Sequence, residues 1–164
     1  MKSGNANKFG TMAIAAAILG LTASAANARS GPFAPMAGVW FGGGRIILAD
    51  GQVERIRCRA EADVGDGGDV MQQHLRCASP SYTFDVQNRV TAHGGMITGR
   101  WDETTNNIGG EIVGTASPGL VRARIEGGQF DADVTLAPRG NSLQVTLDPR
   151  GSNVREVAVM LRRT

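Results

Sequence analysis

VERIRCRAEADVGDGGDVMQQHLRCA, residues 53–78, is the stretch that decides the fold. Side chains of a strand alternate between two faces, and residues paired across antiparallel strands share one. Centring a hairpin on Gly67-Gly68 pairs Val64 with Met71, Ala60 with Leu75 and Cys58 with Cys77. The same choice puts His74 opposite Glu61 on the other face. Directly opposed residues lie ~4.5–5.5 Å apart at Cα, within the reach of a disulfide. Cys58 and Cys77 are the only cysteines, so the hairpin predicts one disulfide.

The same pattern continues along the chain. Brief alternating runs are punctuated at Asp50-Gly51, Gly94-Gly95, Thr104-Thr105, Ser117-Pro118-Gly119, Gly127-Gly128, Pro138 to Asn141 and Asp148 to Gly151. Close turn signals with no sustained 3.6-residue period predict an all-β antiparallel meander of about ten strands. Centring a hairpin on Gly127-Gly128 pairs Ile125 with Phe130 and Val121 with Val134, leaving Arg124 opposite Asp131 and Arg122 opposite Asp133. Whole apolar rows follow, one through Val64, Met71, Val90 and Ile97, another through Phe41, Ala60, Leu75, Val86 and Trp101. A sheet with one apolar face and this many strands closes most simply into a small barrel, with a two-sheet β-sandwich as the alternative.

Between the apolar rows runs a third: Ala62, Gln73, Asn88, Gly99, Gly110, Ala123, Ala132 and Leu147. Inside a barrel, small residues with two amides leave space whose wall can form hydrogen bonds. The alternative is that the glycines mark strongly bent strands and bulky neighbours fill the gap. Arg45 and Glu54 are placed inward near the Asp50-Gly51 end, either paired at the barrel mouth or lining a ligand entrance. Gln73, Asn88, Gly99, Gly110, Arg45 and Glu54 are therefore the candidate ligand-binding residues.

Residues 1–28 read as a signal peptide. Lys2 and Lys8 precede an apolar run from Met12 to Leu21, and Ala26-Asn27-Ala28 supplies a small-x-small cleavage site. Cleavage leaves about 136 residues: a short flexible lead over 29–38 and a single barrel domain over 39–164. Export to the periplasm or beyond places the cysteines where a disulfide persists. Removing Lys2 and Lys8 takes away every lysine, and fifteen arginines then balance fifteen acidic residues. A neutral chain argues against nucleic acid or an anionic membrane as partner. No later apolar run approaches the ~20 residues that span a bilayer.

Enzyme chemistry finds little purchase. Asp131 and Asp133 resemble paired catalytic carboxylates, but arginines stand opposite them, as in surface ion pairs. Asp102-Glu103 has no acid/base companion. His74 and His93, the only histidines, support neither a metal site nor a Ser-His-Asp arrangement. A disulfide removes the thiols, and the lack of lysine after residue 28 removes Schiff-base chemistry. Gly42-Gly43-Gly44 lacks the Lys-Ser/Thr and helix start of a phosphate loop; the Asp50-Gly51 hairpin sets these glycines opposite Arg59, Cys58 and Arg57. The expectation is a protein that is not an enzyme and needs no cofactor.

Arg55, Arg57, Arg59 and Arg76 share the outer face, the best surface candidate for an anionic partner. A solvated face rich in the chain's only cation accounts for the stripe equally.

Gly38-Val39-Trp40 resembles the Gly-x-Trp opening strand of lipocalin- and avidin-like barrels, and of periplasmic metalloprotease inhibitors built on small barrels. A longer pattern resembles a family of small exported bacterial proteins of unassigned function. It runs Gly38-x-Trp40-x-Gly42-x-Gly44, Asp50-Gly51, Ile56-Arg57-Cys58-Arg59, Leu75-Arg76-Cys77-Ala78-Ser79 and Gly99-x-Trp101-x-Glu103. That resemblance implies one compact domain and supplies no catalytic or binding residues. The chain thus reads as an exported binding protein for a small apolar or lipid-like ligand in a barrel cavity. The alternative is a module that binds an envelope protein, as a stabilising factor or protease inhibitor.

Overall fold

The alternating runs become ten strands in the computed structural model, which describes residues 30–164; the expected signal peptide lies outside the described residues. The strands are β1 (Gly38–Leu48), β2 (Val53–Gly65), β3 (Val70–Ala78), β4 (Thr83–His93), β5 (Met96–Glu103), β6 (Ile108–Ser117), β7 (Leu120–Gly127), β8 (Phe130–Arg139), β9 (Ser142–Arg150) and β10 (Val154–Arg163). Each pairs antiparallel with the next, and β10 returns to β1, so the sheet is a closed barrel rather than a sandwich. Closure leaves no sheet edge to template aggregation. The apolar face points in and the charged face out, the reverse of an outer-membrane barrel.

The β2–β3 hairpin has the expected register, with Ala60 opposite Leu75 and Val64 opposite Met71. Cys58 and Cys77 are paired and joined in a disulfide facing the core. Elsewhere several registers differ by an even number of residues, which preserves the faces while changing the partners. The β7–β8 turn centres on Gly128-Gln129, not Gly127-Gly128, so Ile125 meets Ala132 and Val121 meets Leu136. Gly128, with φ of +60°, supplies the left-handed conformation the tight turn requires. Arg122 consequently faces Thr135, and Asp133 pairs instead with Arg150, while Arg124 still reaches Asp131 at 2.5 Å.

Strand β1 differs by an odd step, and its faces invert. The sequence reading assumed a two-residue turn at Asp50-Gly51. The loop closes with Leu48 N–H on the Gln52 carbonyl at 2.9 Å, leaving three residues, Ala49-Asp50-Gly51, with Gly51 at φ of +87°. Such three-residue loops carry a left-handed glycine at their end. Gly42, Gly43 and Gly44 therefore oppose Cys58, Arg57 and Ile56. Trp40 and Ile46 point inward and are fully buried, whereas Phe41, expected inside, is outward and 42% exposed. The inward glycines permit close strand packing: a Cβ on Gly44 would lie 1.9 Å from the Ala158 carbonyl oxygen.

The expected flexible lead is instead packed. Residues Ala34–Met36 form one 3-10 turn, and Phe33 and Met36 are buried in the barrel's core at the end where the chain enters β1. Gly31 N–H bonds the Gly67 carbonyl at 2.6 Å, and Phe33 N–H bonds that of Gly68 at 3.0 Å. Trp40 donates its indole N–H to the Met36 carbonyl at 2.8 Å. Arg163 lies over the Trp40 ring, 4.6 Å from its centroid, and bonds the Pro35 carbonyl. Apolar burial and backbone pairing together make the lead a plug.

Candidate functional site

Two groups of buried side chains fill the barrel. One gathers Phe33, Met36, Met71, Val90, Ile97, Trp101 and Ile112, and the other Trp40, Ile46, Ile56, the disulfide, Leu143 and Leu161. Between them remains a cavity of about 140 Å³, walled by residues of both groups and floored by Phe33 of the plug. Inward residues such as Ala123, Val134, Val145 and Leu147 are only half-buried. They line this space rather than packed neighbours.

Among the described residues, Gln73, Asn88 and Trp101 are the cavity-lining residues whose side chains carry a polar atom. They form one cross-strand row, with Gln73 opposite Asn88 and Asn88 opposite Trp101. Asn88 Nδ2 donates to Gln73 Oε1 at 2.9 Å. Asn88 Oδ1 and Trp101 Nε1 are buried without a hydrogen-bond partner among the described residues. Trp101 has a second role: its ring meets Phe130 edge-on, with centroids 5.6 Å apart.

Gly99 and Gly110, expected to border open space, do not line the cavity. Gly99 faces Val90, and the position beside Asn88 belongs to Trp101. A Cβ on Gly110 would lie 1.8 Å from the Glu126 carbonyl oxygen, and one on Gly99 would lie 2.3 Å from that of Arg89. Their lack of a side chain serves close backbone approach in bent strands. Gly110, opposite Trp101, also leaves the indole unobstructed by a side chain from that position.

Arg45, expected inward, points outward and pairs with Glu156 at 3.3 Å, a consequence of the inverted face of β1. Glu54 is opposite buried Ile46 at the end away from the plug. It accepts hydrogen bonds from Ser79 Oγ at 2.7 Å and Ser81 N–H at 3.2 Å. Bonds from Ser81 and Ser79 hold its carboxyl below the usual range. Arg45 and Glu54 do not meet, and neither touches the cavity.

The outer arginines are a mixed set. Arg59 pairs with Glu61 and lies over Phe41, 5.2 Å from the ring centroid, and Arg76 bonds Asp85 at 3.0 Å. His74, opposite Glu61 as expected, bonds Asp85 at 2.6 Å, and this bond with that from Arg76 lowers the Asp85 pKa. Arg55 and Arg57 have no ion-pair partner among the described residues. Phe41, Arg57, Arg59 and Arg76 border one shallow hollow over the disulfide.

One carboxylate is fully built into the structure. Glu103, 4% exposed, accepts bonds from the backbone N–H groups of Asp85, Thr105 and Asn106, and from the Asn106 amide. Burial pushes its pKa up, but these donors outweigh it and bring the value to about 2. All four donors are protein groups, so Glu103 is a structural anchor of the β5–β6 turn. Among the described residues no three His, Cys, Asp or Glu cluster to hold a metal ion. In the sequence Phe33 carries no site signal: its surrounding Gly and Pro residues have a loop signature, and only its apolar side chain hints at burial. Trp101 reads there as a member of an apolar row, which gives no place to its polar N–H.

Comparison with protein-family models and with curated proteins finds no match for the chain. The arrangement itself carries the functional argument.

Proposed function

We propose that this is an exported binding protein that holds a small, uncharged, largely apolar molecule inside its barrel. The observation that supports the reading is the 140 Å³ cavity lined almost wholly by aliphatic and aromatic side chains. A hole of roughly 150 Å³ lined by such side chains takes up benzene. Pockets for drug-sized ligands run from about 300 Å³ upward. The space therefore suits a single ring or a short branched chain and is too small for a lipid tail, which narrows the earlier expectation. Among the described residues no charged side chain lines the cavity, so an ionised ligand would meet an uncompensated desolvation cost.

The test is native mass spectrometry of protein purified from its exporting host, compared with its denatured mass. A discrete adduct that vanishes on denaturation supports the reading and gives the ligand's mass. A bare chain that also fails to take up benzene or toluene in solution overturns it.

A second reading is favoured by the outer face. Arg57, which borders one hollow with the exposed ring of Phe41, has no carboxylate partner among the described residues, which suits an acidic segment of an envelope protein. Reversing Arg57 to Glu weakens capture of such a partner; undiminished capture counts against that reading.

A further inference from the structure

The outer face of β2 gathers positive charge at a cost to the barrel. Arg55, Arg57 and Arg59 alternate with buried Ile56, Cys58 and Ala60, so all three are exposed on one side of the strand. Arg45 on β1 stands directly opposite Arg55, and Arg76 on β3 directly opposite Arg59. Like charges placed so are destabilising across a sheet. The carboxylates that answer them come from the margins: Glu156 pairs with Arg45, Glu61 with Arg59 and Asp85 with Arg76. Among the described residues Arg55 and Arg57 have no ion-pair partner. Arg57 also stands clear of its neighbours, with Gly43 on one side and Ala78 on the other. A Cβ on Gly43 would lie 2.4 Å from the Ile56 carbonyl oxygen, which keeps that flank bare.

We infer that the acidic segment bound here is an extended chain with carboxylates at three alternate positions, lying along β2 to meet Arg55, Arg57 and Arg59. This rests on the reading that the arginine face binds an acidic segment. A strand rises about 3.4 Å per residue, so alternate side chains on one face are spaced about 6.8 Å apart. The same spacing holds in β2 and in an extended partner, so three guanidinium groups and three carboxylates fall into register. A helix repeats its faces every three to four residues, and adjacent carboxylates of an extended chain point to opposite sides. Neither matches the row. The row is also bounded: Val53 precedes Arg55 on this face, and Glu61 and Asp63 follow Arg59. A guanidinium carries five donors, so Arg59 serves a partner carboxylate while keeping Glu61. Glu156 on β10 and Asp85 on β4 stand on either side of the row. That suits one narrow chain rather than a broad anionic surface such as a bilayer.

The probes are two end-blocked peptides of one composition, Ser-Glu-Ser-Glu-Ser-Glu-Ser and Ser-Ser-Glu-Glu-Glu-Ser-Ser, titrated into the intact, disulfide-bonded protein at low salt. The inference predicts that the alternating peptide binds more tightly, by about five-fold, and shifts the Nε–H resonance of Arg57. Arg57→Gln, an exposed change that leaves the core packing alone, removes most of that preference. The block isomer binding equally or more tightly overturns the alternate spacing while leaving the acidic-segment reading standing. Neither peptide binding overturns both, and retention of the protein on phosphatidylglycerol vesicles in that case assigns the face to lipid.

Discussion

Replacing Glu103 by glutamine removes the most heavily solvated-by-protein charge in the barrel. The carboxylate receives four hydrogen bonds, two on each oxygen: Asp85 N–H at 3.0 Å and Thr105 N–H at 2.9 Å on Oε1, Asn106 N–H at 2.7 Å and Asn106 Nδ2 at 2.8 Å on Oε2. Glutamine turns one of those oxygens into a donor, so two of the four donors face another donor. The folded pKa of about 2, against an ordinary 4.5, sets the scale. Each pKa unit is worth 1.36 kcal/mol, so the ionised form contributes about 3 kcal/mol of stability. Because the folded-state value is depressed, the unfolded chain takes up a proton first as pH falls. The contribution is whole above pH 4.5 and disappears as pH drops toward 2. Urea unfolding of wild type and Glu103→Gln across this range gives the difference directly, with contributions of other carboxylates cancelling. The expected gap is about 3 kcal/mol at pH 7, closing as the pH approaches 2. A gap that stays constant with pH would falsify the assignment of that stability to the ionised carboxylate.

Three further outcomes follow from the packing. Replacing Cys58 and Cys77 by serine opens a link between residues 19 apart and lowers unfolding free energy by about 3 kcal/mol, read by urea denaturation; equal midpoints would contradict the constraint. Gly110→Ala forces a methyl against the Glu126 carbonyl and costs about 3 kcal/mol on the same assay, whereas a neutral effect would mean β6 and β7 can separate freely. Phe33→Ala removes the plug's buried ring at a cost of about 3 kcal/mol and speeds hydrogen exchange at the Gly31 and Phe33 amides, which bond the Gly67 and Gly68 carbonyls. Unchanged exchange would show that the lead is held without its ring.

The architecture was legible because strand alternation survives mistakes in pairing. The sequence reading shifted β7 against β8 by two residues, yet Val121, Ile125 and Val134 still face inward. An even shift changes neighbours and spares faces; an odd one inverts a strand. Only β1 suffered the odd shift, because Ala49-Asp50-Gly51 and a two-residue Asp50-Gly51 turn look alike in sequence. From that one residue follow the misplacements of Phe41 and Arg45. The site was less legible for the same reason in milder form. Gln73 and Asn88 were placed side by side, but a two-residue shift between β4 and β5 set Gly99 where Trp101 stands. Composition alone left the plug unseen, since Gly31-Pro32-Phe33-Ala34-Pro35 carries loop residues around its one large apolar side chain.

The size of the cavity is the balance of two opposing tendencies in the same chain. Eight strands make a barrel that side chains just fill, and each added strand widens the interior. Ten strands with Ala62, Ala123 and Ala132 facing inward leave an interior that these residues cannot occupy. Phe33 and Met36 enter from one end, and the Trp101 ring crosses from the wall, so most of that excess is filled. What remains is walled in part by Gln73, Asn88 and Trp101. A void left only by imperfect packing has no need of polar wall residues, and leucine at both 88 and 101 would line it without orphaned atoms. The sequence instead places two amides and an indole on that wall, and among the described residues Asn88 Oδ1 and Trp101 Nε1 are buried with no partner, at a cost that an apolar pair would not carry.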